Sequence, residues 1–174
     1  WFKEISRYVV FVAADCTGHG VPGAFMSMLS VAYLNEVVHT DSVPRTNEIL
    51  EELRNQIKIS LRETGSIYES KDGIDIAFNV YDKEARKLYF SGAHTPLYVM
   101  KNGQIHIYKG DRMPVGKSRK ERPFTIHEID MEEGDIIYLF SDGYVDQFGK
   151  HNKQKYKAVR FRELLTKIYK EPMD

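Results

Sequence analysis

Two aspartates stand where a sequence could do chemistry. Asp15 closes the apolar run 8–14, and glycines follow it at positions 18, 20 and 23. Asp142 closes the run 136–140 and is followed at once by Gly143. A side chain at a strand end is held rigidly, and a nearby glycine lets other groups approach the backbone closely. Two such carboxylates, brought together by sheet pairing, would offer hard oxygen donors to divalent cations. Taken singly, each has a plainer reading as a turn aspartate before glycine. Cys16 lacks Cys or His partners at zinc spacing, which argues against a thiolate ligand. The glycine cluster matches neither of the two common phosphate-cradling loop patterns, which argues against nucleotide binding by that route. His19 and His94 carry side chains suited to proton transfer near neutral pH, and a structural role in a turn is equally economical for His19.

These residues need elements to hold them. Residues 8–14 are apolar and β-branched and read as a buried strand. Gly18, Gly20, Pro22 and Gly23 interrupt the pattern. From Ala24 the period becomes helical, with Phe25, Met28, Leu29, Ala32 and Tyr33 on the repeat and an end near His39. The spacing predicts a second helix over 47–62, with Ile49, Leu50, Leu53, Ile57 and Leu61 as its apolar face. After Gly73 the pattern is β. Ile74, Ile76, Phe78 and Val80 alternate with more polar neighbours, 82–86 turns the chain, and 88–91 returns. Residues 96–100 lead into Asn102-Gly103, a hairpin signal, before Ile105 and Ile107. Runs 124–129 and 136–140 flank a turn at 132–134, and 159–169 reads as a closing helix. This order predicts an α+β domain, an antiparallel β-sandwich core flanked by helices.

The bulk numbers narrow the function classes. A chain of 174 residues suffices for one domain with a real core. Lys+Arg and Asp+Glu both number 25, so no broad positive excess exists to bind nucleic acid. No apolar run is long enough to span a bilayer, so no membrane contact is expected from this segment. The single cysteine, Cys16, cannot form an internal disulfide and points to a reducing, cytoplasmic compartment.

The segment Asp15-Cys16-Thr17-Gly18-His19-Gly20-Val21-Pro22-Gly23-Ala24 resembles the signature of PPM-type serine/threonine protein phosphatases of the SpoIIE/RsbU branch. The likeness continues in order through Asp72-Gly73-Ile74-Asp75, Ser91-Gly92-Ala93-His94-Thr95-Pro96-Leu97 and Met113-Pro114-Val115-Gly116. It then takes in Gly134-Asp135 and Ser141-Asp142-Gly143-Tyr144-Val145-Asp146-Gln147. The resemblance implies two Mn2+ or Mg2+ ions. Asp15 would bridge them, Cys16 would contribute its main-chain carbonyl, and Asp142 would be a further ligand. Gly18, Gly20 and Gly143 would form the structural turns of the site. A water activated between the metals would attack phosphorus in line, with no phosphoenzyme. His19 would be a general acid or a turn residue, and His94 a weaker candidate for the same work. Asp72 and Asp75 would cap loops, or serve an extra metal or a switch contact. The two helices after the first motif would carry signals from a regulatory domain or a dimer contact.

Two further ligands implied by the resemblance fall outside these residues. One is a Gly-Asp upstream of the aromatic position matched by Trp1; the other is an Asp-Asp pair after the closing helix. The expectation is a single PPM-type domain over 1–174, incomplete at both termini, lacking edge strands and excised from a larger protein. By itself it would be metal-poor and nearly inactive, while the intact parent would be a phosphatase. Its substrate would be a phosphorylated protein of the anti-anti-sigma kind, with an upstream sensor domain in the parent and a homodimer as an open option. The competing expectation is a phosphatase-like module without catalysis, serving regulation or dimerisation.

Overall fold

Strand β3 (Gly73–Asp82) is the spine of the molecule, because both of its faces are covered. Ile74, Ile76, Phe78 and Val80 are fully buried on one face, and Ala77 and Asn79 are fully buried on the other. The alternation expected from sequence therefore does not separate core from solvent; it separates two different cores. The structure is a computed structural model that describes residues 1–18, 20–39, 43, 45–63, 73–148 and 154–171, with 61–63 as backbone.

Among the described residues the strands form two antiparallel sheets. The larger has the order β1 (Phe2–Ile5), β2 (Tyr8–Cys16), β3, β4 (Lys87–Ala93), β8 (His127–Asp130), with β7 (Val115–Gly116) also pairing β3. The smaller has the order β6 (Gln104–Tyr108), β5 (Leu97–Lys101), β9 (Ile136–Tyr138). Asn102 and Gly103 take φ of 48° and 78° and close the β5–β6 hairpin, with Lys101 opposite Gln104. The turn 132–134 does not make a hairpin. It carries the chain from β8 in the larger sheet to β9 in the smaller one.

Leu88, Phe90, Leu97, Val99 and Ile129 fill the space between the sheets. On the outer face of the larger sheet lie α1 (Gly20–Val37) and α2 (Thr46–Glu63). On the outer face of the smaller one, Phe161 and Leu165 of α4 (Lys157–Ile168) pack on Tyr98. The result is a helix–sheet–sheet–helix sandwich, the α+β class the sequence predicted. No helix among the described residues is long and apolar enough to cross a membrane.

The two front helices differ in how they match expectation. In α2, Ile49, Leu50, Leu53 and Ile57 are buried as their spacing predicted, and the side chain of Leu61 lies outside the described residues. In α1 the inward face is Gly23, Met26, Ser30 and Leu34 instead, while Phe25 is 47% and Met28 73% exposed. Helix α1 is apolar on nearly every side, so its period cannot say which side faces the sheet. It also starts four residues earlier than Ala24. Pro22 sits in the first turn, where its missing N–H costs nothing. Gly23 packs on the main chain of the preceding loop, and a Cβ there would lie 2.7 Å from the Gly18 carbonyl oxygen.

Candidate active site

Sheet register decides which polar groups meet. β2 and β3 pair with Asp15 opposite Asp75, and β3 and β4 pair with Ile76 opposite Ala93. The residue after Ala93 therefore lies beside Asp75, and that residue is His94. Asp15, Asp75 and His94 form a row across one end of the larger sheet, on the side facing the smaller sheet. Asp142 arrives from that smaller sheet, at the start of the short helix α3 (Asp142–Val145) that follows β9. All four line one cleft of about 450 Å³, with Tyr98 and Phe140 among its other lining residues.

Side-chain alternation turns Cys16 the other way. Its Sγ lies 3.5 Å from Ser30 Oγ of α1, and its side chain packs on the helix-side core. Cys16 nonetheless lines the cleft beside Asp15. Thr17 ties the strand end down: its N–H donates to the Gly73 carbonyl at 3.0 Å, and its hydroxyl donates to the same oxygen at 2.6 Å. The Gly73 N–H in turn donates to the Thr17 hydroxyl at 3.2 Å. Asp15 is thus braced from the residues on its C-terminal side.

The crossing between the two sheets at 93–96 is tightly made. His94 has a left-handed φ of 54°, a conformation that costs a non-glycine residue about 1–3 kcal/mol. Its N–H donates to the Asp111 carbonyl at 2.8 Å, and the Asp111 N–H donates to the Gly92 carbonyl at 2.8 Å. A Cβ on Gly92 or Gly110 would lie 2.5 or 2.6 Å from the Thr95 carbonyl oxygen, so both close approaches require glycine. Asp111 is buried and accepts from Arg122, from the Thr125 N–H and from the Thr125 hydroxyl. Held in this way, the His94 ring bonds Asp75, Nδ1 to Oδ1 at 2.8 Å.

Of the glycines expected as turns of the site, Gly18 and Gly20 have left-handed φ values of 105° and 66°. Gly143 does not. It lies within α3, where a Cβ would meet only Ser141 Oγ at an ordinary 3.4 Å, so no turn demands glycine there. His19 and Asp72 lie outside the described residues. The pairing of Asp75 with both Asp15 and His94 had no signal in the sequence, because it depends on the register of three strands.

The groups expected as ligands, carboxylates at Asp15 and Asp142 and the main-chain carbonyl of Cys16, would suit a hard cation better than zinc. Three carboxylates, Asp15, Asp75 and Asp142, line the one cleft. They line the cleft without closing on a point. Among the described residues, no three Cys, His, Asp or Glu side chains are close enough to cage an ion. A cation held here would keep much of its water, as Mg2+ commonly does.

This fold, two antiparallel sheets between helices with the cleft at one end, is that of PP2C-type phosphatase domains. The chain belongs to the stage II sporulation protein E (SpoIIE) family, whose profile matches residues 6–174. It is similar to the SiaA PP2C domain of Pseudomonas aeruginosa, at 26% identity and a TM-score of 0.84, covering 99% of this chain and 66% of that one. A Mycobacterium tuberculosis structure of RsbU and RsbW domains shares 20% identity with a TM-score of 0.71, covering 98% and 46%. The PP2C domain of Bacillus subtilis SpoIIE, solved with a fragment of its regulatory domain, shares 14% identity with a TM-score of 0.72, covering 100% and 46%. The chain thus spans less than two thirds of the length of each of these three structures. No curated protein sequence matches it.

Proposed function

We propose that this chain, read as one domain over 1–174, is the catalytic domain of a metal-dependent protein phosphatase of bacterial signalling. It hydrolyses phosphoserine or phosphothreonine on a partner protein. The observation that carries the reading is that Asp15, at the end of β2, and Asp142, at the start of α3, line the same cleft. Asp15, Asp142 and the main-chain carbonyl of Cys16 are the groups that would hold Mn2+ or Mg2+. When bound, such cations supply positive charge against the phosphoryl oxygens and acidify a water for in-line attack.

The chain's own residues do the rest. Thr17 fixes the end of β2, so Asp15 keeps its orientation without a mobile loop. Tyr98 and Phe140, in edge contact at 4.8 Å, give the cleft an aromatic wall that limits water around the reacting group. No nucleophilic side chain is needed, in keeping with the absence of any Ser or Cys activated by a base in the cleft among the described residues. A phosphorylated anti-anti-sigma-like protein is the proposed substrate. That a neighbouring mycobacterial protein carries an RsbU and an RsbW domain together supports a regulatory role toward a partner protein.

The test is hydrolysis of a phosphoserine peptide with manganese, by the full-length chain and its Asp15→Asn and Asp142→Asn variants. Turnover should require metal and fall at least about 100-fold in each variant. Equal turnover without metal, or in both variants, would overturn the assignment. A second reading, a phosphatase-like regulatory module, is favoured by the lack of a closed three-ligand cage among the described residues. It predicts a folded full-length protein that neither binds manganese nor turns over.

A further inference from the structure

We propose that His94 is the proton donor to the leaving oxygen of the phosphorylated side chain, and that Asp75 is its positioning residue. The inference rests on the phosphatase reading and adds to it a group that neither metal ligation nor water attack requires.

The cleft poses a chemical problem. A serine or threonine alkoxide is a poor leaving group and needs a proton as the phosphorus–oxygen bond breaks. The described side chains lining the cleft include three carboxylates, which at neutral pH accept hydrogen bonds and do not donate them. Cys16 is turned into the helix-side core, and Tyr98 is 3% exposed. Histidine is the residue type there that holds and releases a proton near neutral pH.

Geometry singles out one nitrogen. Nδ1 of His94 is engaged by Asp75 Oδ1 at 2.8 Å. With Nδ1 taken up by the Asp75 carboxylate, Nε2 is the ring nitrogen left to meet a ligand. Nε2 has no protein partner among the described residues, and the side chain is 43% exposed and lines the cleft. This is a base-and-orienter arrangement run as an acid: the carboxylate fixes the tautomer and the ring plane.

The backbone positions the ring. The strained φ at His94 is enforced by the Asp111 hydrogen bonds and by the glycine contacts at 92 and 110. A glycine at 94 would satisfy the same backbone without strain. The left-handed backbone, also taken by Ser6, Arg86, Asn102 and Lys157, sets where the His94 ring leaves the loop, and the Asp75 bond holds the ring there.

In the step proposed, the oxygen of the attacking water bonds to phosphorus while the phosphorus–Oγ bond breaks. The bonding pair stays on Oγ, which takes the proton from Nε2. The surplus proton of the water passes to solvent, and the neutral imidazole regains a proton from solvent. The products are the free hydroxyl and inorganic phosphate.

The test compares two leaving groups in the full-length protein with manganese: a phosphoserine peptide and p-nitrophenyl phosphate, whose phenolate leaves without protonation. The variant is His94→Asn, since asparagine tolerates a left-handed backbone but cannot transfer a proton. The expected result is a fall in kcat of about 100-fold or more on the peptide, with less than about 3-fold on the aryl ester. Asp75→Asn should show the same selectivity with a smaller loss. His94→Gly, which relieves the backbone, should unfold at the same temperature as wild type or higher and keep the peptide-selective defect. Equal losses on both substrates, or none on either, would overturn the role of His94 and leave the phosphatase reading standing. A wild type that turns over neither substrate would overturn that reading, and this proposal with it.

Discussion

The two faces of β3 are built from one stretch of chain and do opposite work. Toward the helices it presents Ile74, Ile76, Phe78 and Val80, all fully buried and apolar. Toward the second sheet it presents Asp75, Ala77, Asn79 and Tyr81, a face that begins inside the sandwich and opens into the cleft. The first face is held by burial, which has no direction. The second is held by hydrogen bonds, which do: Asn79 donates to the carbonyls of Phe11 and Ala77 at 3.3 and 3.1 Å, and Asp75 bonds His94. Substitutions on the first face should therefore change stability, and those at the open end of the second should change rate.

The largest effect should come from Phe78→Ala, which empties the centre of the helix-side core and should cost about 3–5 kcal/mol. Denaturant unfolding measures it, and the fraction that stays folded should keep its turnover per molecule. Gly92→Ala lies at the crossing between the sheets and puts a methyl against the Thr95 carbonyl. It should cost about 1–3 kcal/mol and also slow turnover, because the same loop carries His94. If it affected stability alone, the link between crossing and cleft would break. Ile76→Val should cost about 0.5–1.5 kcal/mol with rate unchanged. Asp75→Asn, one position away on the opposite face, should stay within about 0.5 kcal/mol of wild type in stability while lowering the rate.

The smallest effect concerns the helix layer that covers the first face. Lys58 of α2 donates to both carboxylate oxygens of Glu121, at 3.0 and 2.8 Å. That hydrogen bond holds the Glu121 carboxyl below its usual range against an opposing push from burial, helped by the Ser118 N–H. A folded-state value below the unfolded one contributes stability at pH above the ordinary carboxylate range, and loses it as pH falls through the lowered value. Glu121→Gln should therefore be slightly less stable than wild type at neutral pH and equal to it in acid. A gap that widened in acid would reverse the sign of this pair's contribution.

Most of the architecture was legible because burial leaves a periodic trace. The α2 face, the strands and the Asn102-Gly103 hairpin follow from residue type at fixed spacing. Helix α1 did not, because an apolar surface on every side erases the period. The short elements β1, β7 and α3 carry too few residues to show one. In the site, Asp15 and Asp142 stood out from their strand-end, glycine-flanked setting. Asp75 and His94 were named separately and without a shared role, since their meeting requires β2, β3 and β4 to be aligned to the residue. The left-handed backbone at His94 likewise depends on glycines 92 and 110, which are distant in sequence from each other.

The length of β3 acts as a gauge. Its register is pinned at the far end by Asp82, whose carboxylate accepts from the N–H groups of Glu84 and Ala85 in the following turn. From that anchor, seven steps of alternating sides place Asp75 on the cleft side. Removing or adding one residue in between would exchange the two faces, sending Asp75 into the helix-side core and a large aliphatic side chain into the cleft. Core and cleft would fail in one event. Diversity at this cleft can therefore arise through residue replacement, while insertions and deletions inside the strand are closed to it.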